Sequence, residues 1–219
     1  INNIIAEKME NLNLLHEAIV KGDLNKAVEV TKEAIENDLE PQLVINDYMS
    51  PAMEEIGARF ESGEAFVPEL LMAARAMKGS LELLKPLMTG NASARLGKVI
   101  IGTVKGDLHD IGKNLVASML EGCGFEVINL GVDISSEKFI AAIKEHNADI
   151  LCMSALLATT MGYMKGVVDA LGDSGMRQTV KVMIGGAPVS NTFATQIGAD
   201  GYSDNANAAV NLAKSLVAS

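Results

Sequence analysis

The chain contains no tryptophan, 4% aromatic residues, two cysteines and five prolines in 219 residues. Without large rings, its cores have to be built from Leu, Ile, Val, Ala and the 12 methionines, which read as gap-fillers rather than ligands. Cys123 and Cys152 have no CxxC partner and no histidine at zinc spacing, so they read as buried free thiols, not a disulfide or a zinc site. Basic residues are in deficit, 18 against 28 acidic ones, and the net charge of −10 lacks the positive stripe that a nucleic acid requires. No apolar run approaches the ~20 residues that cross a bilayer. No signal-peptide pattern opens the chain, so the expectation is a cytoplasmic protein with no membrane and no nucleic-acid partner. Neither GxGxxG nor GxxxxGK[ST] follows the first β-rich run, which excludes the common nucleotide sites.

What is present changes character near residue 90. Before it, Ile4, Ile5, Met9, Leu12, Leu15 and Ile19 recur at helical spacing. Asp23 can cap a second helix to about Glu36, and Pro41 suits the first turn of a third that runs to about Phe60. Pro51 predicts a kink or break within that third helix, and Pro68 opens a fourth to about Met88. These four make an antiparallel bundle over residues 1–88. The small, polar stretch 89–97, TGNASARLG, reads as a linker.

From residue 98 to 219 strand and helix alternate. KVIIGTV (98–104), FEVINLG (125–131), DILCMSA (149–155), VKVMIGG (180–186) and ADGYS (199–203) are β-rich and bounded by Gly or Asp. The expected fold is an N-terminal all-α four-helix bundle followed by a flavodoxin-like or Rossmann-like five-stranded parallel sheet covered on both faces. Ligands of such sheets bind beyond the carboxyl ends of the strands, so three loops attract notice. The first holds Gly106, Asp107, Leu108, His109, Asp110, Ile111 and Gly112. The third holds Ser154 and Leu156 with Thr159 and Thr160 close behind, and the fourth holds Gly185, Gly186 and Ala187. A histidine two residues after a carboxylate suits an oriented metal ligand, one nitrogen coordinating while the other donates to Asp. Asp110 also suits a helix cap, and the glycines a tight turn. His16 and His146 gather no comparable neighbours and read as solvated side chains. A phosphoacceptor receiver shares this architecture, but its paired acids after the first strand and its lysine after the fifth are missing.

Asp107-x-His109-x-x-Gly112, then 41 residues, Ser154-x-Leu156, then 28 residues, Gly185-Gly186 resembles the pattern of cobalamin-binding domains. The resemblance extends into the bundle, where GARFESGEAFVPELLMAARAMK is similar to the cap of cobalamin-dependent methionine synthase. With no fused substrate barrel, the whole chain resembles the stand-alone corrinoid proteins of methanogen and acetogen methyltransferase systems.

The resemblance implies cobalamin bound with its benzimidazole tail displaced, cycling between methylcobalamin and cob(I)alamin, with His109 as lower axial ligand to cobalt. Asp107 would hold the other imidazole nitrogen, and Thr160 would extend the relay. Ser154, Leu156, Gly185, Gly186 and Ala187 would line the tail slot, with Tyr202 and Ser203 near its floor, the glycines leaving room for the buried ring. Ala158 stands where the family often has Thr. Phe60 and Val67 align with the pair that shields the upper face, Val replacing the more usual Leu, and MTGNASARLG would be the hinge. The implied function is a methyl carrier that turns over nothing alone. It would accept a methyl group from a substrate-specific methyltransferase acting on a methylamine, methanol or an aryl methyl ether. A second methyltransferase would pass it to tetrahydrofolate or coenzyme M, and a reductive activase would complete the partner set. A cobalamin-dependent sensor and the small subunit of an adenosylcobalamin mutase are the alternatives; the first would add a signalling output, and the second lacks such a cap.

Overall fold

The structure, a computed structural model, describes residues 12–88 and 96–218. It divides into a helical unit and an α/β unit at about residue 95, with Glu121–Gly124 grouped with the former. The expected start of the first helix at Ile4 and nearly all of the expected linker lie outside the described residues.

In the helical unit residues 12–20 form α1, and α2 spans Leu24–Glu36. As expected, Asp23 caps α2, its Oδ1 accepting from the Lys26 amide at 3.0 Å. Ala27, Val30, Thr31 and Ala34 make its buried face, and α2 packs on α5, which spans Val67–Leu84. Between them, α3 (Pro41–Val44), a π turn (Ile45–Met49) and α4 (Ser50–Glu61) follow one another without a gap. The kink or break expected near Pro51 takes the form of the π turn. The Ser50 amide reaches back to the Ile45 carbonyl, and Pro51 thereby falls in the first turn of α4, where a missing N–H costs little. Glu69 accepts from the Phe66 amide at 2.8 Å and fixes the start of α5. That helix ends at Leu84, short of the expected Met88. Pro86 cannot donate an α-helical bond, and Lys85–Leu87 tighten into a 3₁₀ turn. Met49, Met53 and Met77 are buried among the aliphatic residues of this unit.

The α/β unit runs β1 (Lys98–Thr103), α6 (Ile111–Gly122), β2 (Glu126–Asn129), α7 (Ser136–His146), β3 (Ile150–Ser154), α8 (Gly162–Asp173), β4 (Lys181–Gly185), α9 (Asn191–Ile197), β5 (Gly201–Ser203) and α10 (Ala206–Ala218). All five strands are parallel in the order β2-β1-β3-β4-β5, the flavodoxin-like order expected. Each strand is shorter than its β-rich run by one to three residues. The central strands are buried on both faces, and Phe139, Leu151, Met153, Met164 and Ile184 anchor one core. Burial pushes the Cys152 thiol up to about 12, as suits an inert core residue. Cys123 is also buried. Register sets one row across the carboxyl edge: Thr103 pairs with Ser154, Ser154 with Gly185, and Gly185 with Ser203. The order reverses between β1 and β3, so the loops after these two strands flank the crevice that such sheets leave open. Among the described residues no helix is long and apolar enough to cross a membrane.

Candidate functional site

After β1 the chain turns tightly. The Asp107 amide donates to the Val104 carbonyl at 3.2 Å, and Gly106 supplies a left-handed φ of 79°. The turn brings Asp107 inward, and it is completely buried. A bare carboxylate would cost several kcal/mol there, so its donors decide whether it can exist. Oδ2 accepts from the Leu156 amide at 2.8 Å, the Leu157 amide at 3.2 Å and the Thr160 hydroxyl at 2.7 Å. Oδ1 accepts from the His109 amide at 3.1 Å and lies 2.7 Å from His109 Nδ1. Burial pushes the Asp107 pKa up. The bonds from Thr160, His109 and the Leu156 backbone outweigh it and hold the carboxyl well below its ordinary range.

An ionised carboxylate can only accept, so Nδ1 must carry a proton, and in the neutral ring the lone pair then lies on Nε2. The His109 side chain is 51% exposed, and among the described residues Nε2 has no hydrogen-bond partner. The result is one imidazole with its tautomer set from below and its second nitrogen available. Around it the surface is unusually apolar. Leu108 is 72% and Ile111 87% exposed, and Leu156 and Leu157 are exposed as well. A Cβ at Gly112 would meet nothing within 4 Å, so the start of α6 borders open space.

The other expected residues distribute unevenly. Ser154 is half-buried in the edge row, Thr160 is buried against Asp107, and Thr159 and Ala187 are exposed. Ser203 is buried, and Tyr202 packs half-buried on the sheet core. The glycine pair carries a second constraint. It does not merely leave space for a ligand: a Cβ at Gly186, whose φ is 128°, would lie 1.9 Å from the Ala155 carbonyl oxygen, and one at Gly185 would lie 3.0 Å from that of Ser203. Backbone packing alone therefore demands glycine at 186. Asp110 precedes α6 and accepts from the Asn114 side-chain amide at 2.9 Å. In the helical unit Phe60 is half-buried and Val67 exposed, so neither belongs to that unit's buried core. His16 is not simply solvated: Nε2 lies 2.8 Å from Glu55 and Nδ1 3.2 Å from the Tyr48 carbonyl, so it ties α1 to α4.

Two features escaped the sequence reading. Lys113 is buried and donates to Asn129 at 2.7 Å; Asn129 in turn donates to Asn114 at 3.1 Å. Burial lowers the Lys113 pKa against the pull of Asp110. Its signal was a charged residue on the stripe that Ala117 and Leu120 continue. Asp133, after β2, accepts from the Gly106 amide at 2.7 Å; its signal was only a turn.

A sheet of this order, with an oriented histidine at its switch point and an apolar rim, defines a binder of a large, flat ligand. Among the described residues no cluster of three or more His, Cys, Asp or Glu could hold a bare metal ion. A single imidazole instead suits a metal whose other positions a macrocycle fills. Residues 97–211 match the family described as B12 binding domain, and residues 12–85 match a second family of the same description. The dimethylamine corrinoid protein of Methanosarcina barkeri is 43% identical over 212 residues, 96% of this chain and 99% of that one. Among solved structures, a cobalamin-binding protein from Desulfitobacterium hafniense DCB-2 superimposes with a TM-score of 0.79 at 34% identity, covering 94% of this chain and 98% of that one. The methanol:cobalamin methyltransferase complex of Methanosarcina barkeri gives 0.80 at 30%, covering 95% and 80%. The chain belongs to the family of cobalamin-binding corrinoid proteins of methyltransferase systems.

Proposed function

We propose that the protein is a methyl carrier, taking a methyl group from a substrate-specific methyltransferase and releasing it to a second one. When bound, cobalamin supplies a cobalt that accepts a methyl group and gives it up again; the chain supplies orientation and a proton store. The observation that carries the reading is the buried, ionised Asp107 holding His109 Nδ1 at 2.7 Å, which leaves Nε2 as the atom that would hold cobalt. Thr160, bonded to the same carboxylate, steadies it. Asp107 would hold the ring in one orientation whether or not Nε2 were engaged, and its buried negative charge would favour a proton on an unengaged Nε2. Leu108, Ile111, Gly112 and Leu156 suit an apolar macrocycle face, and Gly106 and Asp110 shape the same loop. Ser154, Thr159, Gly185, Gly186, Ala187, Tyr202 and Ser203 would accompany the tail along the sheet edge. For Phe60 and Val67 a shielding role is supported by their lying outside the helical unit's own core.

Similarity to a dimethylamine corrinoid protein favours a methylamine as methyl donor. Similarity to the methanol:cobalamin methyltransferase complex favours direct docking on the donor's methyltransferase. Tetrahydrofolate or coenzyme M as final acceptor, and a reductive activase, complete the scheme. The test is reconstitution under reducing conditions. About one cobalamin per chain is expected, with the absorption spectrum of displaced benzimidazole. Its methylation should follow on adding dimethylamine and a dimethylamine-specific methyltransferase. Failure to take up cobalamin overturns the reading, and methylation by a methanol enzyme alone would redirect the donor.

A further inference from the structure

The Asp107–His109 pair is only as well placed as the turn that carries it, and among the described residues the backbone amide at Gly106 in that turn is held by a side chain from another loop. The Gly106 amide is not used within the turn; Asp133 Oδ1 accepts it at 2.7 Å. In return the Asp133 amide donates to the Asp107 carbonyl at 3.1 Å. Two bonds in opposite senses thus tie the loop after β2 to the two residues that set the Asp107 carboxylate. Asp133 adopts a left-handed φ of 55°, uncommon outside glycine, while the next residue is anchored by its amide to the Thr103 carbonyl at 3.0 Å. Thr103 in turn donates its hydroxyl to the His109 carbonyl at 2.9 Å. Asp133 lies 27 residues from Gly106, on a strand connection that holds none of the three motifs.

We propose that Asp133 is a positioning residue for the axial histidine, setting the Gly106–Asp107 turn so that Asp107 Oδ1 meets His109 Nδ1. The proposal rests on the methyl-carrier reading for its consequence at cobalt, but its first readout needs no cofactor. Asp133→Gly keeps the backbone conformation accessible and removes the acceptor, whereas Asp133→Asn keeps both an acceptor oxygen and tolerance of the left-handed region. In cofactor-free protein, ¹⁵N NMR of the His109 ring should show the Nδ1–H tautomer in wild type and in Asp133→Asn. In Asp133→Gly the two tautomers should mix. In cobalamin-loaded protein, the ratio of nitrogen-ligated to unligated cobalt, read by EPR, should fall about tenfold in Asp133→Gly and recover in Asp133→Asn, the size typical of losing an outer-shell partner. Ring shifts in Asp133→Gly identical to wild type would overturn the proposal even if cobalamin binds normally. Absence of any His109 nitrogen on cobalt in wild type would overturn the carrier reading instead, with the NMR result deciding Asp133 by itself. Should Asp133→Gly not fold, the wild-type Gly106 amide decides: slow hydrogen exchange supports the clamp, and exchange at the free-loop rate overturns it.

Discussion

His16 and His109 each stand against a carboxylate at nearly the same distance, 2.8 and 2.7 Å, yet they are different devices. His16 spends both ring nitrogens, one on Glu55 and one on the Tyr48 carbonyl, and joins two helices. Its partner Glu55 is half-exposed, where water competes for the charge. His109 spends one nitrogen on a carboxylate that is entirely buried and saturated with donors, and its other nitrogen stands in solvent. A carboxylate close to a histidine is thus no evidence for a ligand by itself. What separates the two is the second nitrogen and the cost of the first partner's burial.

The largest effect should come from removing the two carboxylates in turn. Asp107→Ala orphans the Leu156 and Leu157 amides and frees the His109 tautomer; at ~1–3 kcal/mol per abandoned buried donor, a loss of about 3–5 kcal/mol is expected. Glu55→Ala breaks an exposed pair and should cost no more than about 1 kcal/mol. Urea unfolding of the two variants measures both, and equal losses would erase the distinction drawn here.

Acid sharpens the same contrast. The folded-state pKa of Asp107 lies below its ordinary 3.8, so its stabilisation is fully present above about pH 4 and is lost as pH falls from there through the folded value. Thermal midpoints of wild type and of the non-titrating Asp107→Asn should therefore be well separated at pH 7 and converge below pH 4. A gap that stays constant to pH 3 would mean that Asp107 carries no depressed pKa.

The intermediate case is Thr160→Val, which removes one donor from Asp107 and leaves two amides on the same oxygen. A cost of about 1 kcal/mol is expected, with the convergence point moved upward in pH. Denaturation at pH 7 and at pH 4 checks both statements.

Why one histidine was legible in the sequence and the other was not follows from range. Asp107, His109 and Gly112 lie within six residues, from the loop after β1 to the first turn of α6, and the parallel-sheet rhythm says which edge that loop occupies. The rhythm implies a parallel sheet but leaves flavodoxin-like and Rossmann-like orders both open; the structure has the former. The His16 pair joins residues 39 apart on helices whose packing no local pattern specifies, and Asp133 reaches Gly106 across a strand. At Gly186 the pattern marks the position, but the clash a Cβ would make with the Ala155 carbonyl depends on two neighbouring strands in register and is not visible in a local motif. Pro51 predicts a kink or break, but not that the ladder shifts by one residue so that the Ser50 amide reaches the Ile45 carbonyl.

The smallest change in stability should accompany the clearest change in chemistry. His109→Ala removes an exposed ring whose only side-chain bond is to Asp107, and that carboxylate keeps the residue-109 amide, two further amides and the Thr160 hydroxyl. The fold should therefore lose at most about 1 kcal/mol, while the bound cobalamin loses its protein nitrogen outright. Cobalamin itself should remain partly bound if its tail lies along the sheet edge as proposed, since those contacts would not depend on the imidazole. His16→Ala is the control in the other unit: a stability cost of similar size, from an abandoned carbonyl and a half-exposed carboxylate, with an unchanged cobalt spectrum. Nitrogen hyperfine structure in the EPR of the cobalt(II) form, recorded beside urea midpoints for both variants, tests the pair. If the nitrogen signal survives in His109→Ala and vanishes in His16→Ala, the roles assigned to the two histidines are reversed; if it survives in both, the axial donor is another residue.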